Sequence, residues 1–409
     1  MYRKGVLLAV VAASLAVQAI TITSPGNGDS VSLLSDRQKA FMRMSRDERE
    51  AFFDDRQPDK EKEIKRYRSD PQPVRLSWSG GKGPFVVTVT KRGAKEPWFR
   101  ETVASNSVEV WNLEIARTYD WTVCGGGECA KASFTTEDQA PRLIRVPGVP
   151  NIRDLGGRVI NGRRVKQGMA FRSSGLNNNA RTVFYTLDEI KALHKEGKLA
   201  GMGELGAKYA SKLKAGRKID KRSLRLIKSM PTSPGTARLT EEWRAYMCGK
   251  LGIKTDIDLR SVRERFGMTE SPLGPGVKFV TLEDTYHDYA SVHGNKGAED
   301  TRQILRVFLD RANYPIDFHC IGGADRTGTA ATILHGILGL DDDEIWKDYQ
   351  ITAWQGGVND AKHLGWFKSF VKSFDKFEGA TLAERIQKYV LWLGFTQSDI
   401  DTIRSIMFE

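Results

Sequence analysis

The chain has 409 residues, 40% of them apolar and 28% charged, with 18 Phe, 11 Tyr and 9 Trp. That is enough material for two to three domains with real hydrophobic cores, which excludes wholesale disorder. Four cysteines exclude a disulfide scaffold, and 63 basic against 51 acidic residues give a net charge of +12 that favours an acidic partner without naming one.

Residues 1–19 are expected to be a signal peptide. Met1-Tyr2-Arg3-Lys4 is basic, an apolar run follows from Gly5, and Val17-Gln18-Ala19 places small residues where a signal peptidase reads. Gly5 to Ile20 is 16 residues, about 24 Å of helix against a bilayer core of about 30 Å. Cleavage after Ala19 and an exported protein, periplasmic or extracellular, are the expectation, with no stable membrane anchor.

Residues 20–70 read as a leader. Thr21 to Ser30 is rich in turn residues and lacks periodicity. Ser35-Asp36 looks like a helix start, with Phe41, Met42, Met44, Phe52 and Phe53 recurring near helical spacing. Asp54–Asp70 is dense in both charges and reads as a solvated helix or linker.

From Pro71 the period becomes two. Val74–Trp78, Phe85–Thr90, Val108–Trp111, Tyr119–Val123 and Ala132–Thr136 alternate, with turn residues between them, so 71–137 is expected to be a small all-β sandwich. Asn112-Leu113-Glu114, Thr118-Tyr119-Asp120-Trp121 and Phe134-Thr135-Thr136 resemble the last strands of a fibronectin type III module. Cys124 and Cys129 flank the hairpin between the last two strands, and a disulfide is expected there in an exported chain. Two cysteines without His or Cys at metal spacing make no zinc site.

Residues 138–409 alternate strand and helix. Lys254–Leu259, Val277–Leu282 and Tyr314–Cys320 read as strands; Leu239–Lys250, Asp300–Ala312, Thr327–Leu338, Asp343–Trp354, Leu364–Phe374, Leu382–Leu393 and Gln397–Phe408 read as helices. The expected class is α/β, a parallel sheet with flanking helices. A basic insertion interrupts it at about 177–238, with 13 basic against five acidic residues between 181 and 228. It reads as a solvated helical excursion or as a basic lid for acidic phosphosubstrates. Its few aromatics are too sparse for a nucleic-acid platform, so no nucleic acid is expected.

The chemistry concentrates in His319-Cys320-Ile321-Gly322-Gly323-Ala324-Asp325-Arg326-Thr327-Gly328, between an apolar strand and an apolar-faced helix. Five residues between Cys320 and Arg326 let the loop wrap one tetrahedral anion. The backbone N–H groups of Ile321, Gly322, Gly323, Ala324, Thr327 and Gly328 would then point inward as a nest at a helix N-terminus. Arg326 can grip two phosphate oxygens as a fork. The same positive field favours a Cys320 thiolate, the form that attacks phosphorus. Gly322 and Gly323 allow the backbone angles of the cradle, and Thr327 is placed to donate its hydroxyl to the sulfur. Cys248 has no such company and reads as packing.

At these residues the chain resembles the tyrosine phosphatase superfamily, whose signature is H-C-x5-R-[ST]-G. Val149-Pro150-Asn151-Ile152-Arg153-Asp154-Leu155-Gly156-Gly157 is similar to the N-F-R-D-L-G-G motif of a bacterial branch that includes secreted tyrosine and lipid phosphatases of Listeria and Mycobacterium. Arg164–Ser173 resembles that branch's next strand, and Leu251–Ser261 with Glu264 its L-G-I-x-T-x-I-D-L-R-S…E segment. The resemblance implies metal-free, cofactor-free hydrolysis of a phosphorylated protein or small phosphoester through a phosphocysteine on Cys320. It also implies Asp325 as the general acid. As residues alone, Asp325 serves equally as a helix cap, and Asp284 and Asp288 are rival acids on a neighbouring loop. Asn151, Arg153, Asp154, Asp258, Arg260 and His319 are read as supporting residues that brace and orient the loops.

One departure bears on substrate. The branch usually has Lys where this chain has Ala324, which removes a rim charge suited to additional phosphates. Phosphotyrosine is therefore the expected substrate and a phosphoinositide the alternative. A rhodanese-like sulfurtransferase also uses a loop cysteine, and a non-catalytic phosphoester binder would need only the anion site; Arg326-Thr327-Gly328 and the intact Cys320 argue against both.

Overall fold

The computed structural model describes residues 19–51, 70–177, 186–201, 203–219, 239–265, 268–355 and 361–409. The expected signal peptide, except Ala19, lies outside them. So do Phe52 and Phe53, most of the charged stretch before Pro71, and residues 178–185 and 220–238 of the basic insertion. No helix among the described residues is long and apolar enough to cross a membrane.

The chain divides into two compact units: residues up to Leu33 with Pro73–Glu137, and Leu34–Gln72 with Asp138–Glu409. The first is all β. Strands β1 (Thr21–Ser24), β3 (Val74–Ser79) and β6 (Ser107–Val110) form one sheet in the order β1-β3-β6. Strands β2 (Asp29–Val31), β4 (Phe85–Lys91), β5 (Phe99–Val103), β7 (Thr118–Gly125) and β8 (Glu128–Thr136) form another, ordered β2-β8-β7-β4-β5. Alternation sets the core: Val74, Leu76 and Trp78 of β3 are buried with Val87 and Val89 of β4 and Tyr119, Trp121 and Val123 of β7. The Tyr119 hydroxyl accepts a hydrogen bond from the Glu114 N–H at 2.9 Å, a tyrosine corner that pins the chain entering β7. Cys124 and Cys129 face each other in the β7–β8 register and are disulfide-bonded. Thr21 to Ser30, expected to be a leader without periodicity, instead supplies β1 and the start of β2. Three- and four-residue strands are too short for a period to register, and their ladder partners lie far along the chain.

The second unit carries a five-stranded sheet ordered β14-β13-β15-β12-β9. Its strands are β9 (Arg153–Asp154), β12 (Ala170–Ser173), β13 (Thr255–Asp258), β14 (Lys278–Thr281) and β15 (Ile316–His319). All pair in parallel except the short edge strand β9, which runs antiparallel to β12. A small hairpin of β10 (Val159–Ile160) and β11 (Arg163–Arg164) lies between β9 and β12 in sequence.

Helices α1 (Asp36–Arg43) and α2 (Arg46–Ala51) precede the sheet; Ser35 caps α1 reciprocally with Gln38, as the sequence suggested. Within the basic insertion, α3 (Leu187–Lys195) and α4 (Gly203–Lys214) bury Ile190, Leu199 and Tyr209 in a small core of their own. Then come α5 (Glu241–Ala245), α6 (Asn295–Phe308), α7 (Asp325–Leu338), α8 (Asp342–Gln350), α9 (Ala361–Lys372), α10 (Leu382–Trp392) and α11 (Gln397–Met407). Helix α7 is apolar nearly all round and is buried from Thr327 to Leu338, so it is the central helix of the unit. Strand β15 sits in the middle of the sheet, and its C-terminal end opens directly into residues 320–324 and α7. That is where parallel α/β sheets hold ligands.

Candidate active site

Residues 320–324 form a loop whose two chemical faces are used differently. Its carbonyl oxygens are engaged from behind. Asn151 Nδ2 donates to Gly322 O (3.2 Å) and Gly323 O (2.9 Å), Arg172 Nη2 donates to Gly323 O (2.7 Å), and Gly175 N donates to Ile321 O. The backbone N–H groups from Ile321 to Thr327 donate to no other protein group among the described residues. With every carbonyl turned back, the amides face the opposite way, which is the arrangement of an anion nest. Gly323 makes this fit possible: its φ is +68°, and a Cβ there would lie 2.5 Å from the Ser173 carbonyl oxygen. Asn151 itself sits at φ +60°, held by Arg153 as well as by the loop.

The posts behind the loop are anchored by one buried carboxylate. Asp348 of α8 takes Arg153 Nε (2.9 Å), Arg172 Nη1 (2.5 Å) and Arg158 Nη2 (3.4 Å). Burial opposes the charge of Asp348, but the three guanidiniums override it and hold the carboxyl well below the usual range. Burial and the nearby Arg172 pull Arg153 down to about 10, so it stays charged at neutral pH. Asp154 does not pair with Arg153. It accepts from Arg142 Nη1 (3.1 Å) and from the N–H groups of Gly156 and Gly168, tying β9 to the loops beside it. Asp258 and Arg260 do pair, as a fork of 2.8 and 2.7 Å, and Arg260 also reaches Asn177 Oδ1 at 2.7 Å.

Cys320 is buried, 3% exposed, at the start of the loop. Arg326, one residue into α7, is gripped end-on by Glu264, with Nη1 at 2.7 Å and Nη2 at 3.0 Å, and Nη1 also donates to Thr285 Oγ1 at 2.7 Å. Its Nε–H and second Nη2–H have no protein acceptor among the described residues. These two N–H groups lie on one edge of the guanidinium and suit two oxygens of one phosphate. Burial works against the Arg326 charge; Cys320, Glu264 and Asp288 outweigh it and keep it fully protonated. Burial alone would raise Glu264, yet the Arg326 fork holds it below the usual carboxylate range.

Asp325 is the first residue of α7, not its cap. Ala324 occupies the cap position without a side-chain hydrogen bond. The Asp325 carboxylate accepts instead from the Tyr289 hydroxyl and, at 3.5 Å, from the Tyr349 hydroxyl, with His363 Nε2 3.8 Å from its other oxygen. Burial raises the Asp325 carboxyl above its ordinary value despite these partners. Asp288, the residue before Tyr289, is pushed up to about 6 by burial and by the Asp325 charge, against the pull of Arg326. Of the two rival acids, then, Asp288 senses the site, whereas Asp284 is half exposed and faces Lys296 at 3.7 Å. Tyr289 has φ +51°, a conformation that costs a non-glycine residue about 1–2 kcal/mol. The ring of Trp366, 43% exposed on α9, lies 6.2 Å from that of Tyr289 and 5.0 Å from His363.

Three expectations need correction. The Gly328 N–H donates to the Ala324 carbonyl at 2.7 Å as the first turn of α7 closes, so it is not one of the nest amides. The Thr327 hydroxyl is buried but makes no hydrogen bond among the described residues, so the donation to sulfur is not made here. Ala324 is not a rim residue: its side chain is 1% exposed, at the turn into α7. Sequence reasoning also missed Arg172, Asp348, Tyr289, Tyr349 and His363, and left Glu264 as a motif match without a partner. None of residues 319–328 lines the cleft of about 560 Å³ that opens beside Lys39, Arg158 and Lys347.

The chain matches the profile of the tyrosine phosphatase family over residues 144–193 and 228–409, more than half its length. The unmatched interval falls inside the basic insertion. A solved structure, the Siw14 catalytic core, is 17% identical and aligns with 38% of this chain and 86% of that one at a TM-score of 0.23, so the assignment rests on the family match. No curated protein matches the chain. The protein belongs to the tyrosine phosphatase family and is a cysteine-based phosphatase, a phosphoric monoester hydrolase.

Proposed function

We propose that the protein is an exported phosphatase acting on phosphotyrosine, with Cys320 as nucleophile, Arg326 and the loop amides as the phosphate site and Asp325 as general acid. One observation carries this reading: the loop's carbonyls are engaged from behind while its amides and one edge of Arg326 are uncommitted, with the buried Cys320 at the start of the loop. The Cys320 sulfur attacks phosphorus and the P–O bond to the leaving group breaks, with Asp325 passing its proton to that oxygen. Water then attacks phosphorus, Asp325 takes its proton, and the P–S bond breaks to release phosphate. Throughout, the amides and Arg326 bear the charge that grows on the equatorial oxygens.

The aromatic side of the site supports an aryl substrate. Tyr289, His363 and Trp366 stand beside Asp325, where the ring of a phosphotyrosine would rest on an exposed indole. Export follows from residues 1–19. The all-β unit is read as a fibronectin type III module, supported by its β1-β3-β6 sheet and its tyrosine corner. The test is kcat/KM of the mature protein for phosphotyrosine peptides, phosphoserine peptides and a phosphoinositide. Preference for the phosphotyrosine peptide is expected, and preference for the lipid would overturn the substrate assignment.

A further inference from the structure

Strands β13 and β15 lie inside a parallel sheet, where both faces are covered and side chains are normally apolar. Yet Asp256 of β13 and Asp317 and His319 of β15 are fully buried there, and no step proposed above uses their side chains. The parallel register sets Asp256 beside Asp317, and one donor atom from each of the three residues lies within 4.8 Å of the others. Each residue is fixed at one polar atom and free at the other. Asp256 Oδ2 accepts from Ser271 Oγ at 2.6 Å, and Asp317 Oδ2 accepts from Ser173 Oγ at 2.9 Å. His319 Nδ1 lies 3.3 Å from the Cys320 carbonyl oxygen, which can only accept, so Nδ1 carries the hydrogen and Nε2 of the neutral ring keeps its lone pair. Asp256 Oδ1, Asp317 Oδ1 and His319 Nε2 are buried with no hydrogen-bond partner among the described residues. Nε2 and Asp256 Oδ1 stand 3.0 Å apart, so an ion about 2.1 Å from both would see them at about 90°, an ordinary ligand angle. Three lone-pair atoms brought together without a hydrogen between them repel one another, and a cation relieves that.

We propose that Asp256, Asp317 and His319 bind one divalent first-row ion, zinc or manganese, as a structural clamp between β13 and β15. Two carboxylates with an imidazole suit these ions better than calcium or magnesium, which take oxygen ligands. The double positive charge matches two buried carboxylates, and the neighbouring Asp258 is already answered by the Arg260 fork. Ser271, Ser173 and the Cys320 carbonyl are the outer partners that aim the three ligands inward. The cluster is closed to solvent, so the ion is taken up as the strands pair during folding. Nothing in the phosphate chemistry is routed through it, and the inference does not rest on the phosphotyrosine reading.

The test is elemental analysis of the mature protein, purified without a metal-affinity column, as wild type, Asp256→Asn, Asp317→Asn and Cys320→Ser. About one zinc or manganese per chain is expected in wild type and in Cys320→Ser, and less than about a tenth of that in either Asn variant, which keeps the side chain's size but not its charge. Thermal unfolding gives a second readout. The wild-type midpoint should lie about 5 °C or more higher with zinc or manganese than with a chelator, and the Asn variants should show no such difference. Wild type that carries no metal and shows no shift with either ion overturns the site. So does a shift shared by the Asn variants, or a metal that Cys320→Ser loses and the Asn variants keep. Should the Asn variants fail to fold, X-ray absorption at the wild-type metal decides: nitrogen and oxygen ligands alone are expected, and a sulfur ligand refutes the site. Neither metal content nor unfolding needs a substrate, so a failure of the phosphotyrosine reading leaves this test intact.

Discussion

The two faces of the 320–324 loop are built on opposite principles. Behind it, charged and amide side chains are tied to the loop and to one another: Asn151 and Arg172 hold carbonyls, and Asp348 holds Arg153, Arg158 and Arg172. In front of it, amides and one edge of Arg326 are left available, beside an Asp325 carboxylate that burial raises. The back should therefore govern whether the loop exists, and the front should govern what it does. Mutations on the two sides ought to separate stability from rate.

The largest effect is expected behind the loop. Asp348→Ala strands three buried guanidiniums and should cost about 3–5 kcal/mol in urea unfolding; a loss under about 1 kcal/mol would mean that the hub does not hold the loop. In front, Arg326→Lys keeps a charge but loses the planar fork, so kcat should fall about 10²–10³-fold, about 2.7–4 kcal/mol, with stability little changed. A variant that loses stability and activity together would erase the contrast between the faces.

Much of the front was legible in the sequence, because its chemistry is contiguous. Cys320, Arg326 and the glycines lie within nine residues, and the strand before them and the helix after them fix their direction. Less of the back was: the Asn151–Gly157 motif marks Asn151 and Arg153 as bracing residues, but Arg172 and Asp348 come from distant segments that only the fold brings to them. One signal was present: Asp348 falls on the apolar stripe of α8 with Ile345, Trp346 and Tyr349, where an unpaired charge would be ruinous. Tyr289 and His363 carry no motif at all; their role follows from where the 283–293 segment and α9 pack. In the all-β unit, β5 escaped notice because Phe99–Val103 is exposed or half-exposed throughout and shows no buried alternation.

Smaller effects sharpen the front. Asp325→Asn should lower kcat about 10²-fold for phosphotyrosine peptides and less for a nitrophenyl ester, whose leaving group needs no proton. An equal loss on both substrates would remove the acid role from Asp325, and a leaving-group-dependent loss in Asp288→Asn would transfer it there.

Asp288 also gives a pH signature. Its folded value, about 6, is above the ordinary 3.8, so the folded protein binds the extra proton between those values and its stability falls as pH rises through them. Asp288→Asn should accordingly stabilise by about 1–2 kcal/mol above pH 6 and by nothing below about pH 4; a gain independent of pH would contradict this. Least of all, Trp366→Ala should raise KM for phosphotyrosine peptides about fivefold, near 1 kcal/mol, and leave phosphoserine peptides unaffected. An equal rise for both would show that the indole does not read the aryl ring.

The most direct measurement is an acid quench of the mature protein turning over a radiolabelled phosphotyrosine peptide, followed by peptide mapping. Label should appear on the Cys320 peptide within the first turnover, and the Cys320→Ser variant should retain phosphate binding but show no turnover. Turnover near the wild-type rate in Cys320→Ser, or label found on another residue, would contradict the assignment of this loop as the site of chemistry.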